Sequence, residues 1–377
     1  MLGDVLIRNT VFWVSIALSM LCVAFPPFRY LFFAVPLLVL IATLGDREAR
    51  LGDEAKPFLA FVLAGLVLSP LANTEGMKDL FLTFSGISIA LLCQVPVVRA
   101  RTLFVCSLIA ALIYFPLFGN FRGSLQFDII KSISPFESNF GFVFGMVAVF
   151  ALMEGRKWLA FLCLVLAVVC LKRIAVLGAM VCFVMWWVGE KNGRRILNPA
   201  FMVIANLGLL AFVLLYGAGY LDSAILALTG ESANQIGVGR RGLLSLPANE
   251  FFHHPEQFIA FGQGPGSTYG LATMGANEYG GKANLHSDLL KIFYEYGVLF
   301  YAIFIWLMYS SRRYSTRIAF LFMNVLFLTD NTLIYYFLLL VFAVGVRSLE
   351  DAGKEFAMES PQSLADDHSV ALASLTR

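Results

Sequence analysis

The sequence predicts an all-α polytopic membrane protein of about twelve spanning helices, or eleven on a stricter count. Composition is the first indication. Hydrophobic residues make up 59% of the 377 residues, charged residues 14%, and mean hydropathy is +0.79, more apolar than a soluble domain of this size needs. Run length is the second, because the apolar stretches extend for about 15 to 22 residues, near the roughly 20 that cross the hydrocarbon as a helix. The third is that these runs do not alternate in the short segments, about 10 residues long, of a membrane β-barrel. A net charge of +2 carries no call for nucleic acid.

In chain order the apolar runs fall near 10–25, 29–44, 58–72, 80–97, 102–118, 139–154, 158–171, 174–189, 200–220, 286–309, 318–329 and 332–347. The eleventh is short and the seventh and eighth are nearly continuous, which is where the count of eleven comes from. The N-terminal run lacks a small-residue cleavage motif and reads as a retained first helix. Basic residues crowd alternate loops: Arg8; Arg47, Arg50 and Lys56; Arg99 and Arg101; Arg156 and Lys157; Lys191, Arg194 and Arg195; Arg312, Arg313 and Arg317; then Arg347, Lys354 and Arg377. Cations are translocated reluctantly, so this side is expected to be cytoplasmic, with both termini on it. Residues 1–220 then carry nine helices, 221–285 an outward-facing loop, and 286–347 the last three helices. Residues 348–377, polar and poor in aromatics, read as a disordered cytoplasmic tail. Within the loop the mildly apolar 223–229 is expected at the membrane surface. No internal repeat points to an inverted-repeat transporter.

The polar residues that remain carry the chemistry. Lys172 and Arg173 lie between apolar runs on the outward side, where a charge either faces a wet cavity or snorkels from a tight turn. In the loop, Arg240 and Arg241 follow Gly237-Val238-Gly239. Guanidinium forks and close-approaching backbone suit a phosphate, and two arginines also suit a plain surface. Gly262-Gln263-Gly264-Pro265-Gly266 is built for sharp turns and lacks the Lys-Ser/Thr of a phosphate-binding P-loop. The six cysteines sit in apolar runs as small hydrophobes, and no metal spacing links them to a histidine. His253 and His254, ahead of Pro255, read as a helix end or loop, and His368 falls in the tail.

His286 is different, because it begins the tenth run at its outward end, close to water and against an apolar wall. An imidazole there can take a proton from a hydroxyl and return it to solvent. Helical spacing would put Leu290, Phe293 and Gly297 on its face, with Gly297 admitting a close neighbour. Glu295 would fall on the opposite face, paired with a cation or capping a polar network. Asp330-Asn331 and Glu137-Ser138-Asn139 share the same membrane level, as sugar-binding groups or as ordinary helix ends.

His286-Ser287, nine residues and Gly297, at the end of a long loop, resembles the motif of the bacterial O-antigen ligases and the Wzy-type O-antigen or exopolysaccharide polymerases. Arg240 or Arg241, the turn at Gly262–Gly266 and Arg173 match that family in order, over about 171–304. The resemblance implies a GT-C-like membrane glycosyltransferase, inverting and metal-independent, with no cofactor and with its long loop in the periplasm of the bacterial inner membrane. Its donor and acceptor would be undecaprenyl-diphosphate-linked oligosaccharides drawn from membrane lipid, in a pathway with a flippase and a chain-length regulator. His286 would be the catalytic base, and Arg173 with Arg240 or Arg241 would hold the diphosphate. Lys172, Glu295, Asp330, Gly264 and Gly266 would support them. The ligase motif continues with Gly, Thr or Tyr where this chain has Phe300, which favours a polymerase. Transfer to lipid A core by a ligase, and a flippase for the same lipid-linked units, are the alternatives.

Overall fold

The computed structural model describes residues 2–43, 52–92, 96–119, 134–232, 235, 240–271 and 285–358. Among these, the regular elements are helices and no strand occurs. Five apolar helices are long enough to cross a membrane, Leu6–Ala24, Pro26–Thr43, Ala100–Phe118, Pro199–Gly217 and Asp288–Tyr309, so the chain is a multi-pass membrane protein. In order the helices are α1 (Leu2–Ala24), a 3₁₀ turn (Pro26–Phe33) leading into α2 (Ala34–Thr43), α3 (Lys56–Val67), α4 (Thr74–Ile87), α5 (Ala100–Phe118), α6 (Phe140–Met153), α7 (Lys157–Val169), α8 (Arg173–Val188), α9 (Glu190–Ile196) and α10 (Pro199–Gly217). The long loop carries α11 (Asp222–Thr229) and α12 (Arg240–His253), and α13 (Asp288–Tyr309), α14 (Tyr314–Phe327) and α15 (Tyr336–Met358) follow.

Most expected apolar runs coincide with helix; the differences lie mostly at their ends, with one break inside the run 286–309. α4 starts at Thr74 because the Asn73 side chain accepts from the Gly76 amide at 2.9 Å, a cap that brings Lys78 and Asp79 into the helix. The segment 223–229 is α11, with Leu226 and Leu228 exposed, and His253 ends α12. α15 continues past 347 to Met358, and the rest of the expected tail lies outside the described residues.

The packing centre is α6, of whose 14 residues 12 are buried. Small residues permit this. A Cβ on Gly145 would lie 2.9 Å from Phe322 of α14, so helices approach there as they do where no hydrophobic force drives association. The outer helices keep their apolar surface, since the most apolar windows of α1, α5 and α10 are each only 28% buried, and that surface faces lipid. Loops that alternate along the chain gather at opposite ends of the bundle. At one end Arg347 lies 3.7 Å from Glu54, the Val98 amide donates to Ser348 Oγ (2.8 Å) and the Ala100 amide to Glu154 Oε1 (2.7 Å). At the other, Glu137 meets Lys172 and Asp288 meets Asp330.

Candidate functional site

Two polar junctions stand at this second end, and both involve α13. That helix is not the continuous span expected from 286 to 309. Gly297 has φ 81° and ψ 169°, which breaks it into Asp288–Tyr296 and Val298–Tyr309. The left-handed φ is open to glycine, and a Cβ there would sit 2.9 Å from the Ala260 carbonyl carbon. Ser287 Oγ donates to the Phe327 carbonyl (3.4 Å), and Phe304 packs its ring on that of Phe327 (6.2 Å). An unbroken helix would hold residues 287 and 304 about 25 Å apart. The first half therefore folds back from the axis of the second, and His286, Leu290 and Gly297 do not share one helical face.

The glycine turn satisfies this break. The Gln263 and Gly264 amides donate to the Tyr294 and Glu295 carbonyls at 2.9 and 3.0 Å, replacing the helical bonds lost at Gly297. Gly262, at φ 59°, has no room for a Cβ, which would lie 2.6 Å from the Tyr294 carbonyl oxygen. On its other side the turn meets the α3–α4 connection, where Asn73 Nδ2 donates to the Gly266 carbonyl (2.6 Å) and a Cβ on Gly264 would come within 2.6 Å of Leu71. Beneath it Asp79, Lys291 and Glu295 are all buried. Lys291 forms an ion pair with Asp79, Glu295 accepts from Thr268 Oγ1 with Lys291 as its neighbouring cation, and Tyr269 donates to Asp79 (3.2 Å). Burial pushes the Tyr269 phenol up, against the pull of Lys291, which keeps it a donor. Gly264, Gly266 and Glu295 thus serve the helix break, and Glu295 has the cation expected for it.

His286 belongs to the other junction. It is half-buried, and with φ 52° it precedes the helix instead of beginning it; Ser287 is the cap, accepting from the Leu290 amide at 3.3 Å. Next to it the Asp288 amide donates to the Asp330 carbonyl (3.2 Å), and Asp288 Oδ2 accepts from Thr332 Oγ1 (3.1 Å) and the Leu333 amide (2.9 Å). Asp330 Oδ1 accepts from Tyr335 Oη at 3.0 Å, and the Tyr335 ring stacks on Phe142 at 5.7 Å. Lys172 Nζ lies 5.2 Å from the centre of that Phe142 ring and 4.0 Å from Glu137. Asp288, two residues after His286 in the chain, is thus joined to Asp330, and Tyr335 and Phe142 connect Asp330 to Lys172.

Arg173 is exposed at the first position of α8, just after a turn whose amides at Leu171 and Lys172 donate to the carbonyls of Val168 (2.8 Å) and Ala167 (3.3 Å). This is a Schellman closure with Leu171 at φ 53°, where glycine is usual. Leu171 and His286 are the non-glycine residues with left-handed φ among the described residues; Leu171 adjoins Lys172, and His286 is itself a predicted site residue. Such strain, roughly 1–2 kcal/mol per residue, points to a local geometry held for a purpose.

The loop arginines stand elsewhere. Arg241 forms an ion pair with Asp222 of α11 and lies against Gly219 at the end of α10. The side chain of Arg240 lies outside the described residues, as do Gly237–Gly239 and Lys282. The same loop helix reaches α13 further along, where Tyr294 donates to Glu250 (2.6 Å) and Phe251 packs on Phe293. Sequence reasoning missed Asp79, Thr268, Tyr269 and the pairing of Lys291. The spacing of Lys291 and Glu295, four apart on one helix, was the one local signal. Comparison with protein-family models finds no match, and comparison with curated proteins finds none either.

Proposed function

We propose that this chain is a polysaccharide polymerase that transfers undecaprenyl-diphosphate-linked glycan onto a second lipid-linked repeat unit at the periplasmic face of the bacterial inner membrane. The observation that carries the reading is the junction of His286 with Asp330, Tyr335 and Lys172, polar and half-open at the end of a long loop. In the proposed reaction His286 takes the proton of the acceptor hydroxyl, the oxygen attacks the anomeric carbon, and the bond to the lipid diphosphate breaks. The charge of the departing diphosphate is met by Lys172 and Arg173, and the proton passes from His286 to solvent. Arg241 enters this scheme only if its pair with Asp222 opens. On this reading the fold has twelve spans, both termini in the cytoplasm and a GT-C-like plan.

Purified protein with a defined lipid-linked repeat provides the test. Wild type is expected to build a ladder of longer chains and His286→Ala to build none while still inserting in the membrane. In cells lacking the protein, single lipid-linked repeats should accumulate; long lipid-linked chains that fail to reach lipid A core would identify a ligase instead. The flippase reading is favoured by one observation, the interrupted α13 with buried charges beside the break, a pattern common in transporters. It predicts that His286→Ala keeps substantial activity.

A further inference from the structure

A cavity of about 220 Å³ opens between α1, the Pro26–Phe33 turn, α5, the start of α6 and residues 334–338. Its walls are apolar, from Cys22, Val23, Val143 and Phe337, and its polar groups are Arg29, Tyr114, Ser138, Asn139 and Tyr335. The volume decides what it can hold. With a water occupying about 30 Å³, the space fits a phosphate and a few methylenes and is too small for an oligosaccharide repeat.

Arg29 is exposed at the mouth and, among the described residues, pairs with no carboxylate. Its guanidinium donates to Tyr30 Oη (2.9 Å) and lies 4.9 Å from the centre of that ring, which leaves further donors for an anion. Lys172, by contrast, already has Glu137 beside it. Outside the mouth, Phe28, Tyr30 and Leu31 are about half exposed and present an apolar surface along which a hydrocarbon chain can lie. Tyr335 lines the cavity with its ring and donates to Asp330 with its hydroxyl, so cavity and His286 junction share a wall.

We propose that this cavity seats the phosphate head of a prenyl-phosphate lipid, with Arg29 on the phosphate and the chain running over the Phe28–Leu31 surface. It would be a second anionic subsite, apart from Lys172 and Arg173, as a reaction joining two lipid-linked units requires. The assignment to a substrate lipid rests on the transfer reading above.

The test is a binding titration of the full-length protein in detergent, with farnesyl phosphate as probe and with farnesol, phosphatidylglycerol and inorganic phosphate as comparators. Wild type should bind farnesyl phosphate about tenfold or more tightly than farnesol, and Arg29→Gln should lose about tenfold while Arg29→Lys keeps most of the affinity. Unchanged binding in Arg29→Gln, or equal binding of farnesol, overturns the site. Equal displacement by phosphatidylglycerol overturns its assignment to a prenyl substrate, and equal displacement by inorganic phosphate overturns the role of the chain. His286→Ala separates the two ideas: normal probe binding with no elongation supports both. Loss of the Arg29 effect with elongation still dependent on His286 removes the cavity and leaves the transfer reading standing.

Discussion

The two junctions on α13 use similar residues to opposite ends. At the closed one Asp79, Lys291 and Glu295 are 3%, 5% and 1% exposed, and their charges face one another beneath a backbone turn that excludes water. At the open one His286 is half-buried, Asn139 and Arg173 are exposed, and buried oxygens of Asp288 and Asn331 have no hydrogen-bond partner among the described residues. Charge density alone would choose the closed junction as the candidate site. Access chooses the open one, because a substrate must be able to reach the groups that bind it.

The widest separation between the two should come from His286→Ala, which is expected to lower elongation by about 10²- to 10⁴-fold with thermal stability in detergent unchanged. Equal loss of stability and activity would make His286 structural and erase the contrast. Lys291→Met should act in reverse, destabilising by about 3–5 kcal/mol because it strands two buried carboxyl groups. Detergent unfolding reads this directly, and the Asp79→Leu/Lys291→Met double variant should lose less than the sum of the two single changes. If Lys291→Met melts like wild type, the closed junction is not a structural staple.

Gly297→Ala is expected to cost about 1–3 kcal/mol from the left-handed backbone and the contact with Ala260. A neutral result would mean that the two halves of α13 can realign at little cost. Lys172→Ala should change stability by less than about 1 kcal/mol, as for a partly exposed ion pair, and still weaken donor use in a concentration series. A donor KM equal to wild type would remove Lys172 from the diphosphate site. The smallest effect expected is from Leu171→Gly, which relieves about 1–2 kcal/mol of left-handed strain and gives up a buried side chain worth a similar amount, so stability should change by less than about 1 kcal/mol. Were it to destabilise by more, Leu171 would be held by packing and not by the turn.

Most of the helices were legible because a helix in lipid announces itself by length and composition, whatever its neighbours. The start of α4 was not, since Glu75, Lys78 and Asp79 lower the hydropathy of its first turns, and only the Asn73 cap, read after the fact, marks the boundary. Gly297 was read as a point of helix contact because the apolar run continues through it. Its break depends on amides from residues 263 and 264, more than thirty positions earlier. Apart from its spacing to Glu295, nothing in the local sequence singles out Lys291, because its partner Asp79 lies 212 residues away. Of the candidate residues, His286, Lys172 and Asp330 could be picked out in the sequence because each was conspicuous against an apolar background. The pairing of Arg241 with Asp222 was not, because a loop arginine looks the same whether it is committed or free.

The dependence of α13 on the Gln263–Gly264 amides has a consequence for biogenesis. The loop is synthesised before residues 288–309. Until that loop docks, the Tyr294 and Glu295 carbonyls have only their own helix to bond with, and the 22 residues enter lipid most favourably as a straight rod. Docking then exchanges helical bonds for loop bonds and bends the rod at Gly297. In a chain whose loop fails to dock, nothing offsets the loss of those helical bonds, and α13 is expected to stay unbent at Gly297.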